Sequence, residues 1–244
     1  MISLKRILYK LKYFYKKYGY FIIFKAMLCK MVLKFKKEND GITVVITSAG
    51  RLEYLKETIE SLRNCVSSEQ INNIYWYIID DNPTSTKTRE YIKSLNFDLV
   101  LLNKKNKGLG YSLNKIYSKV KTKFIFHCED DWLFNENLPL NDMIALLENN
   151  KHIAQVLLNR DMPYKEKAIA ISGKKYAQYD KTHSFNPHLT TKKVGLTCLP
   201  FSMQNTEREI TNRLRKRGLT TAILGYDKIN YVTHIGVEKL VTKY

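Results

Sequence analysis

Three consecutive carboxylates, Glu129, Asp130 and Asp131, are the residues of this chain best suited to chemistry, and they follow an apolar run at residues 124–128. Adjacent carboxylates repel each other and resist burial, so a strand that ends in them needs water, caps or a cation. Mg²⁺ and Mn²⁺ prefer carboxylate oxygens and commonly bridge to phosphates. This acidic triplet therefore indicates either metal-assisted chemistry on a diphosphate or the cap of a helix or turn near Trp132.

The elements that must position the triplet alternate regularly along the chain. Short apolar, β-branched runs predict strands at residues 42–46, 74–79, 97–102 and 124–128. Helical spacing of apolar residues predicts helices between them, at residues 52–62, 87–95 and 111–119. Strands and helices in this order predict a parallel sheet with right-handed crossovers, in which ligands collect at the carboxyl ends of the strands.

Two further polar clusters stand at predicted strand ends. Thr47 and Ser48 follow the first strand, and Asp80 and Asp81 follow the second. Because the carboxyl ends of parallel strands lie at one edge of the sheet, all three clusters are expected to meet there. Their convergence favours a binding site over a simple cap for the acidic triplet.

Residues 42–135 resemble the family 2 glycosyltransferases, which are nucleotide-sugar transferases with the GT-A fold. The matching segments are, in chain order, VVITSAGR at 44–51, IDDNP at 79–83, NKG at 106–108, SLN at 112–114 and FHCEDD at 126–131. The resemblance implies an α/β domain of GT-A type over residues 40–244, with a Rossmann-like, mostly parallel sheet flanked by helices. Residues 40–135 would bind the nucleotide-sugar and residues 136–244 the acceptor.

The resemblance also implies a set of donor-site residues at the strand ends and in a glycine-containing loop. This set contains Thr47, Ser48, Arg51, Asp80, Asp81, Asn106, Gly108, Glu129 and Asp130. The acidic triplet stands where the family has its DxD motif, with Glu129 in place of the usual first Asp, and Asp131 is expected to bind Mn²⁺ or Mg²⁺. A carboxylate at Asp81 could accept from a uracil N–H or a ribose hydroxyl.

Two residues of the second half are candidates for the chemistry. Residues 207–218 look like a family segment that begins with an acidic pair and continues as a helix. In inverting members, an acid of that pair is the general base. Here Thr206-Glu207 replaces the usual Glu-Asp, which puts Glu207 at the base position. Alternatively, Glu207 only favours the first turn of a helix. His234 is a candidate metal ligand, since some GT-A enzymes supply a late histidine to the metal or the diphosphate; a structural histidine is the alternative.

The net charge of +18 is concentrated at the start of the chain, where residues 1–37 hold 11 of the 41 Lys and Arg residues and no acid. A helix over residues 2–18 separates apolar from basic side chains, and a second apolar stripe follows Gly19. Basic amphipathic helices lie at anionic membrane surfaces. We therefore expect residues 1–39 to form a helical extension that contacts a membrane through residues 1–37, or else packs on the main domain.

Composition excludes several other classes of protein. An apolar content of 44% predicts a sizeable core, and four widely spaced cysteines without a CxxC pair argue against zinc or a disulfide scaffold and fit a reducing compartment. A basic tail without base-reading elements does not indicate a nucleic-acid partner. No apolar run is long enough to span a membrane, which argues against a processive polysaccharide synthase and predicts a cytoplasmic enzyme, peripheral at the inner face of a membrane.

The sequence thus predicts a metal-dependent, inverting glycosyltransferase of polysaccharide biosynthesis. It would move a sugar from a nucleotide-diphosphate donor, by default a UDP-sugar, to a hydroxyl of a glycan or lipid-linked acceptor. One alternative is a sugar-nucleotide pyrophosphorylase-like enzyme, which would need a longer glycine-rich loop than residues 47–51 provide. The other is a non-catalytic basic module that binds membranes or nucleic acid.

Overall fold

The computed structural model describes residues 39–66, 73–160, 168–171, 174–179, 183–201, 205–225 and 229–236. The basic extension predicted for residues 1–39 therefore lies outside the described residues, apart from Asn39 at its end. None of the helices within the described ranges combines the length and the apolar character that crossing a membrane requires.

The described ranges contain eleven strands and six helices. The strands are β1 (Asn39–Ser48), β2 (Ile74–Asp80), β3 (Leu99–Leu102), β4 (Thr122–Glu129), β5 (Trp132–Phe134), β6 (Ile153–Leu158), β7 (Ala168–Ile171), β8 (Lys174–Tyr179), β9 (His188–Thr191), β10 (Thr220–Leu224) and β11 (Val232–His234). The helices are α1 (Leu52–Cys65), α2 (Thr86–Ser94), α3 (Leu109–Tyr117), α4 (Leu140–Asn149), α5 (Lys192–Cys198) and α6 (Thr206–Arg215).

Nine strands form one sheet in the order β3-β2-β1-β4-β9-β6-β10-β8-β7. The first four are parallel to one another, as the alternating pattern of strands and helices predicts. β9 then enters antiparallel to both of its neighbours, β4 and β6, and so joins the two halves of the domain in one sheet. β5 and β11 pair antiparallel as a separate two-stranded sheet.

The start of the first strand differs from the prediction. The apolar run predicts a strand that begins at residue 42, but β1 begins at Asn39 and contains an irregular register between Asn39 and Ile42. Gly41 has a φ of 108°, and a Cβ there would lie 2.2 Å from the carbonyl oxygen of Asn73. The glycine therefore marks a close approach within the strand, where a side chain cannot fit.

Helices cover both faces of the sheet and hold the strand ends in place. On one face, α1 packs Leu55, Ile59 and Leu62 onto the core, a spacing that puts them on one side of the helix. Residues of α2 and α4 belong to the same apolar cluster, whereas residues of α3, α5 and α6 belong to the cluster on the other face. Strands covered on both faces are apolar throughout, which explains the continuous apolar runs that predicted them.

Candidate active site

A cleft of about 180 Å³ opens at the carboxyl ends of β1, β2 and β4. Its wall consists of Thr47, Ser48, Ala49, Arg51, Asp81, Asn106, Gly108, Leu109, Ser112, Glu129 and Asp130. Every predicted donor-site residue except Asp80 is among them, while Ala49, Leu109 and Ser112 were not predicted. The parallel register explains the convergence, since Ser48 lies beside Asp80 and Thr47 lies beside Glu129.

Asp81 organises the loop between β3 and α3. Its carboxylate accepts hydrogen bonds from the backbone N–H groups of Lys107 and Gly108, at 3.0 and 2.5 Å, and from the side chain of Asn103 at 2.7 Å. Gly108 has a φ of 81° and directly precedes α3, so this loop turns sharply at the cleft. Asp81 therefore fixes the wall that carries Asn106 and Gly108, in addition to facing the cleft itself.

Asp80 lies behind the cleft wall and is fully buried. Its carboxylate accepts from the Ser48 hydroxyl at 3.2 Å and from Arg89 Nε at 2.9 Å. Burial raises the pKa of Asp80 above its ordinary value, although the hydrogen bond and charge of Arg89 oppose that shift. In this structure Asp80 braces the ends of β1 and β2, and a direct contact with a donor remains a prediction.

Arg51 bridges the second and third carboxylates of the acidic triplet. Its Nε and Nη2 donate to Asp130 Oδ1, with Nε at 3.1 Å, and its Nη1 donates to Asp131 Oδ2 at 2.7 Å. Asp130 Oδ2 accepts from the backbone N–H of Ala49 at 2.8 Å. Burial lowers the pKa of Arg51, but the two carboxylates outweigh burial and raise it.

His234 reaches the acidic triplet because β11 pairs with β5, which follows the triplet in the chain. His234 Nε2 lies 3.2 Å from Asp131 Oδ2, and its ring stacks on that of Trp132 with centroids 4.5 Å apart. Burial raises the pKa of Asp131, but the hydrogen bond from His234 and the charge of Arg51 outweigh it and lower that pKa. The two predicted metal ligands therefore lie together.

Gly236 closes the other side of Asp131. A Cβ at this glycine would lie 2.4 Å from Asp131 Oδ2, which no side chain could do without a shift of one of the two groups. The backbone N–H of Ile235 also donates to the carbonyl oxygen of Asp131 at 3.0 Å. The segment after β11 thus holds Asp131 at van der Waals distance, and only glycine fits there.

The donor atoms at Asp131 fit a hard divalent cation with few protein ligands. Asp131 Oδ1 is buried and has no hydrogen-bond partner among the described residues. His234 Nε2 lies 3.2 Å from Asp131 Oδ2, so both side chains would hold a cation bound beside this oxygen. No group of three or more His, Cys, Asp or Glu side chains in the described ranges converges on one point.

Glu129 faces the cleft and is partly exposed. Burial raises its pKa to about 8, and the charges of Asp131, Asp130 and Glu207 add to the increase. Glu207 stands in the first turn of α6, exposed to solvent and outside the cleft wall. Its Oε1 accepts from the backbone N–H of Phe185 at 2.9 Å and from the Ser184 hydroxyl at 3.3 Å. The structure therefore places Glu207 close enough for its charge to act on Glu129, and holds it against Ser184 and Phe185.

Three buried histidines lie beneath the cleft. His127 is two residues before Glu129 on β4, on the same face of the sheet, and it pairs across to His188 of β9 with ring centroids 5.4 Å apart. The ring centroids of His183 and His188 are 5.6 Å apart. Burial lowers the pKa of all three, to about 4 for His188. Both ring nitrogens of His127 lack a hydrogen-bond partner among the described residues.

Sequence reasoning missed some residues that support the site, and two of them carried a usable signal. Asn103 directly follows β3, so the rule about strand ends could have found it, and its amide donates to both Asp81 and Ser112. Ser112 belongs to a segment that had already been matched to the family. Arg89 and Gly236 carried no such signal, because each acts on a carboxylate that only the folded chain brings close.

The fold is similar to those of solved glycosyltransferase structures. A crystal structure of S. aureus TarS 1-349 gives a TM-score of 0.55 at 16% identity over 79% of this chain and 60% of that one. The same protein in complex with UDP-GlcNAc gives 0.56 at 16% identity, over 79% and 57%. GalNAc-T7 with UDP, GalNAc and Mn²⁺ gives 0.62 at 13% identity, over 81% and 44%. The chain thus spans 44 to 60% of the length of these solved chains.

Sequence comparison with curated proteins gives no match. The sequence profile described as Glycosyl transferase family 2, in contrast, matches residues 43–208, which is more than half of the chain. The matched range starts inside β1, contains the strand ends that form the cleft, and extends to the first turn of α6. The predicted GT-A fold and the predicted enzyme class are both confirmed. This chain belongs to glycosyl transferase family 2.

Proposed function

We propose that this protein transfers a sugar from a nucleotide-diphosphate donor, a UDP-sugar by default, to a hydroxyl of a glycan or lipid-linked acceptor, with Mn²⁺ or Mg²⁺ as cofactor and with inversion at the anomeric carbon. The observation that carries the proposal is the meeting of Asp131 and His234 beside the cleft at the strand ends. Family membership favours sugar transfer over the pyrophosphorylase-like and non-catalytic alternatives.

Asp131 and His234 are the proposed cation ligands. The unpartnered, buried Oδ1 of Asp131 supports this role, because a buried carboxylate oxygen without a partner is costly unless something binds it. A cation bound there would stabilise the negative charge that develops on the departing diphosphate. The protein keeps these ligands in place through the pairing of β5 with β11 and through the close packing of Gly236.

The donor would lie along the wall formed by the ends of β1 and β2 and the loop before α3. The Thr47 hydroxyl is buried beside Glu129 and has no partner among the described residues, so it can bond to a donor. Asn106 presents an exposed amide on the opposite wall. The start of α3 contributes Leu109 and Ser112 to the cleft, and a helix N-terminus favours the negative charge of phosphates.

Glu207 is the proposed general base. Its hydrogen bonds from Ser184 and Phe185 both use Oε1, so Oε2 can take the proton of the acceptor hydroxyl as that oxygen attacks the anomeric carbon. One carboxylate that acts on the acceptor face is what a single displacement with inversion needs. The charge of Glu207 acts on Glu129, a residue of the cleft wall, and this supports the role.

The test is turnover of a panel of UDP-sugars by the full chain with Mn²⁺. We expect one donor to be consumed, and Asp131→Ala to lower the rate by about 10³-fold, because cation stabilisation of the leaving group is worth several kcal/mol. Asp40→Ala, which removes an exposed carboxylate at the start of β1, is the matched control and should retain activity. The proposal fails if no donor binds, or if Asp131→Ala behaves like the control.

The anomeric configuration of the product tests inversion separately. NMR of the transferred sugar should show the configuration opposite to that of the donor. Retention would contradict the role of Glu207 while leaving the donor site intact.

We also propose that residues 1–37 bring the enzyme to the inner face of a membrane, where a lipid-linked or surface glycan would be the acceptor. The support is the density of basic residues in an amphipathic pattern without acids. Flotation with anionic liposomes should recover the full chain but not a chain that lacks residues 1–37. Equal partitioning of the two would contradict the proposal.

A further inference from the structure

Arg51 occupies the carboxylates that the proposed cation needs. Its guanidinium donates to Asp131 Oδ2 at 2.7 Å, the same oxygen that lies 3.2 Å from His234 Nε2. It also bonds to Asp130 Oδ1 through two nitrogens. A planar guanidinium that spans two carboxylates is among the stronger charge-assisted contacts in proteins. Arg51 therefore neutralises the pair that a divalent cation would otherwise neutralise.

A cation at Asp131 and this position of Arg51 are in conflict. Both would place positive charge on one carboxylate, and a divalent cation repels a guanidinium at such short range. The conflict cannot be relieved by moving Asp131, because Gly236 packs against the same oxygen and Ile235 holds the backbone. Arg51 is the group that can move, because its side chain is long, has several rotatable bonds and is 33% exposed.

The cleft offers the Arg51 guanidinium a second binding position. Arg51 belongs to the cleft wall together with Thr47 and Gly108, so its side chain borders the space in which the diphosphate would lie. A guanidinium matches the geometry of two phosphate oxygens as well as that of a carboxylate. A nucleotide diphosphate would thus attract Arg51 away from the acidic pair as the cation takes that pair over.

We propose that Arg51 competes with the divalent cation for Asp130 and Asp131 and moves to the diphosphate when cation and donor bind together. This inference rests on the proposed function. The exchange makes Arg51 a positioning residue that couples the two ligands, because each ligand removes the obstacle to the other. Binding of the cation to the protein alone is weak, and the nucleotide strengthens it by more than a direct cation–phosphate contact would.

The coupling predicts that removal of Arg51 strengthens the binding of the cation in the absence of nucleotide. Replacement by Gln leaves two nearly buried carboxylates without their counter-charge, which favours uptake of a cation. Without nucleotide, Mn²⁺ should therefore bind Arg51→Gln about tenfold more tightly than the natural chain, within the usual range of coupling between sites. UDP should bind the variant more weakly, and the factor by which UDP strengthens Mn²⁺ binding should fall.

The experiment measures Mn²⁺ affinity by electron paramagnetic resonance of the free ion, with and without UDP, for the full chain and three variants. Arg51→Gln removes the guanidinium, and Arg51→Lys keeps a charge that cannot span both carboxylates. Lys56→Gln is the matched control, because it removes one exposed positive charge from α1, the helix that begins directly after Arg51. Thermal unfolding with and without Mn²⁺ is a second readout, and Mn²⁺ should raise the Tm of Arg51→Gln more than that of the natural chain.

The outcomes separate the inference from the function on which it rests. If Arg51→Gln binds Mn²⁺ without UDP as the control does, or more weakly, Arg51 only positions the carboxylates and the inference is wrong. If Arg51→Gln does not fold, Arg51→Lys must bind Mn²⁺ more tightly than the control, and an unchanged affinity overturns the inference. If the natural chain binds no Mn²⁺ even with UDP, the cofactor part of the proposed function is itself wrong.

Discussion

The proposed donor side and the proposed acceptor side of the site are built in different ways. On the donor side, Asp81 and Asp130 stand at strand ends, are buried, and accept hydrogen bonds from backbone N–H groups. On the acceptor side, Glu207 is exposed at the start of a helix and is held by a loop that belongs to another part of the chain. The sheet register thus fixes the proposed donor side, whereas a helix start and a loop fix the proposed acceptor side.

After the loss expected for Asp131→Ala, the largest effect is expected on the proposed acceptor side, from Glu207→Gln. An amide cannot take the acceptor proton, so donor turnover should fall by about 10²-fold or more, the usual contribution of general base catalysis. UDP affinity should not change, because the donor side does not depend on Glu207. Steady-state kinetics together with calorimetry of UDP binding would check both statements.

Glu209→Gln is the control, since Glu209 stands in the same helical turn and its carboxylate lies 3.8 Å from the Arg213 guanidinium. If this control loses as much activity as Glu207→Gln, the effect comes from the helix terminus and the assignment of the base is wrong.

On the donor side, Asp81→Asn should act on binding. The amide nitrogen of Asn would face the N–H groups of Lys107 and Gly108, so the loop loses an acceptor. UDP affinity should fall by about tenfold, in keeping with the loss of a hydrogen bond to a charged group. Asp98→Asn is the matched control, because Asp98 also accepts from a backbone N–H, at 2.7 Å, but near the other end of β2. If Asp81→Asn instead loses kcat while its UDP affinity stays normal, Asp81 acts in turnover and this prediction is wrong.

Gly236→Ala tests whether the segment after β11 fixes the position of Asp131. The added methyl would press on Asp131 Oδ2 and displace it. Mn²⁺ affinity in the presence of UDP should therefore fall by at least about tenfold, which is the usual cost of disturbing a group that holds a metal ligand in place. Unfolding by denaturant would show that the variant still folds. Unchanged Mn²⁺ affinity would mean that the segment after β11 yields easily and does not fix Asp131.

The same comparison explains what could be predicted from sequence. β1, β2 and β4 were recognisable because each is a local apolar run, and Asp81 and Asp131 followed from one rule about strand ends. The pairing of His234 with Trp132 and the contact of Glu207 with Phe185 join residues far apart in the chain. Periodicity carries no information about such contacts. Glu207 and His234 were therefore proposed only through the family resemblance.

The smallest effect at neutral pH concerns the buried histidines, which lie between the two sides. Their pKa values are lowered in the folded chain, so the unfolded chain binds protons first as the pH falls. Stability is therefore complete above about pH 6.5 and falls below it, by about 1.4 kcal/mol per pH unit for each imidazole. For His188 the loss continues down to its pKa of about 4. Urea unfolding at several pH values would measure this slope.

His127→Phe should reduce the slope by one imidazole. Stability at pH 7.5 should change by less than about 1 kcal/mol, because the change removes two unpartnered nitrogens at similar volume. The control is His152→Gln, an exposed histidine at the start of β6. An unchanged slope in His127→Phe would show that other groups cause the acid sensitivity.

The antiparallel strand β9 also has a consequence for how this enzyme is made. The outer edge of β4 pairs only with His188–Thr191, which leave the ribosome long after β4 itself. Until then a nascent chain presents an unprotected sheet edge, which is a template for association with other chains. A fragment that ends at residue 135 would contain most of the nucleotide wall and yet keep this open edge. The proposed division between donor and acceptor halves is therefore one of chemical roles, and the folding unit extends at least to β9.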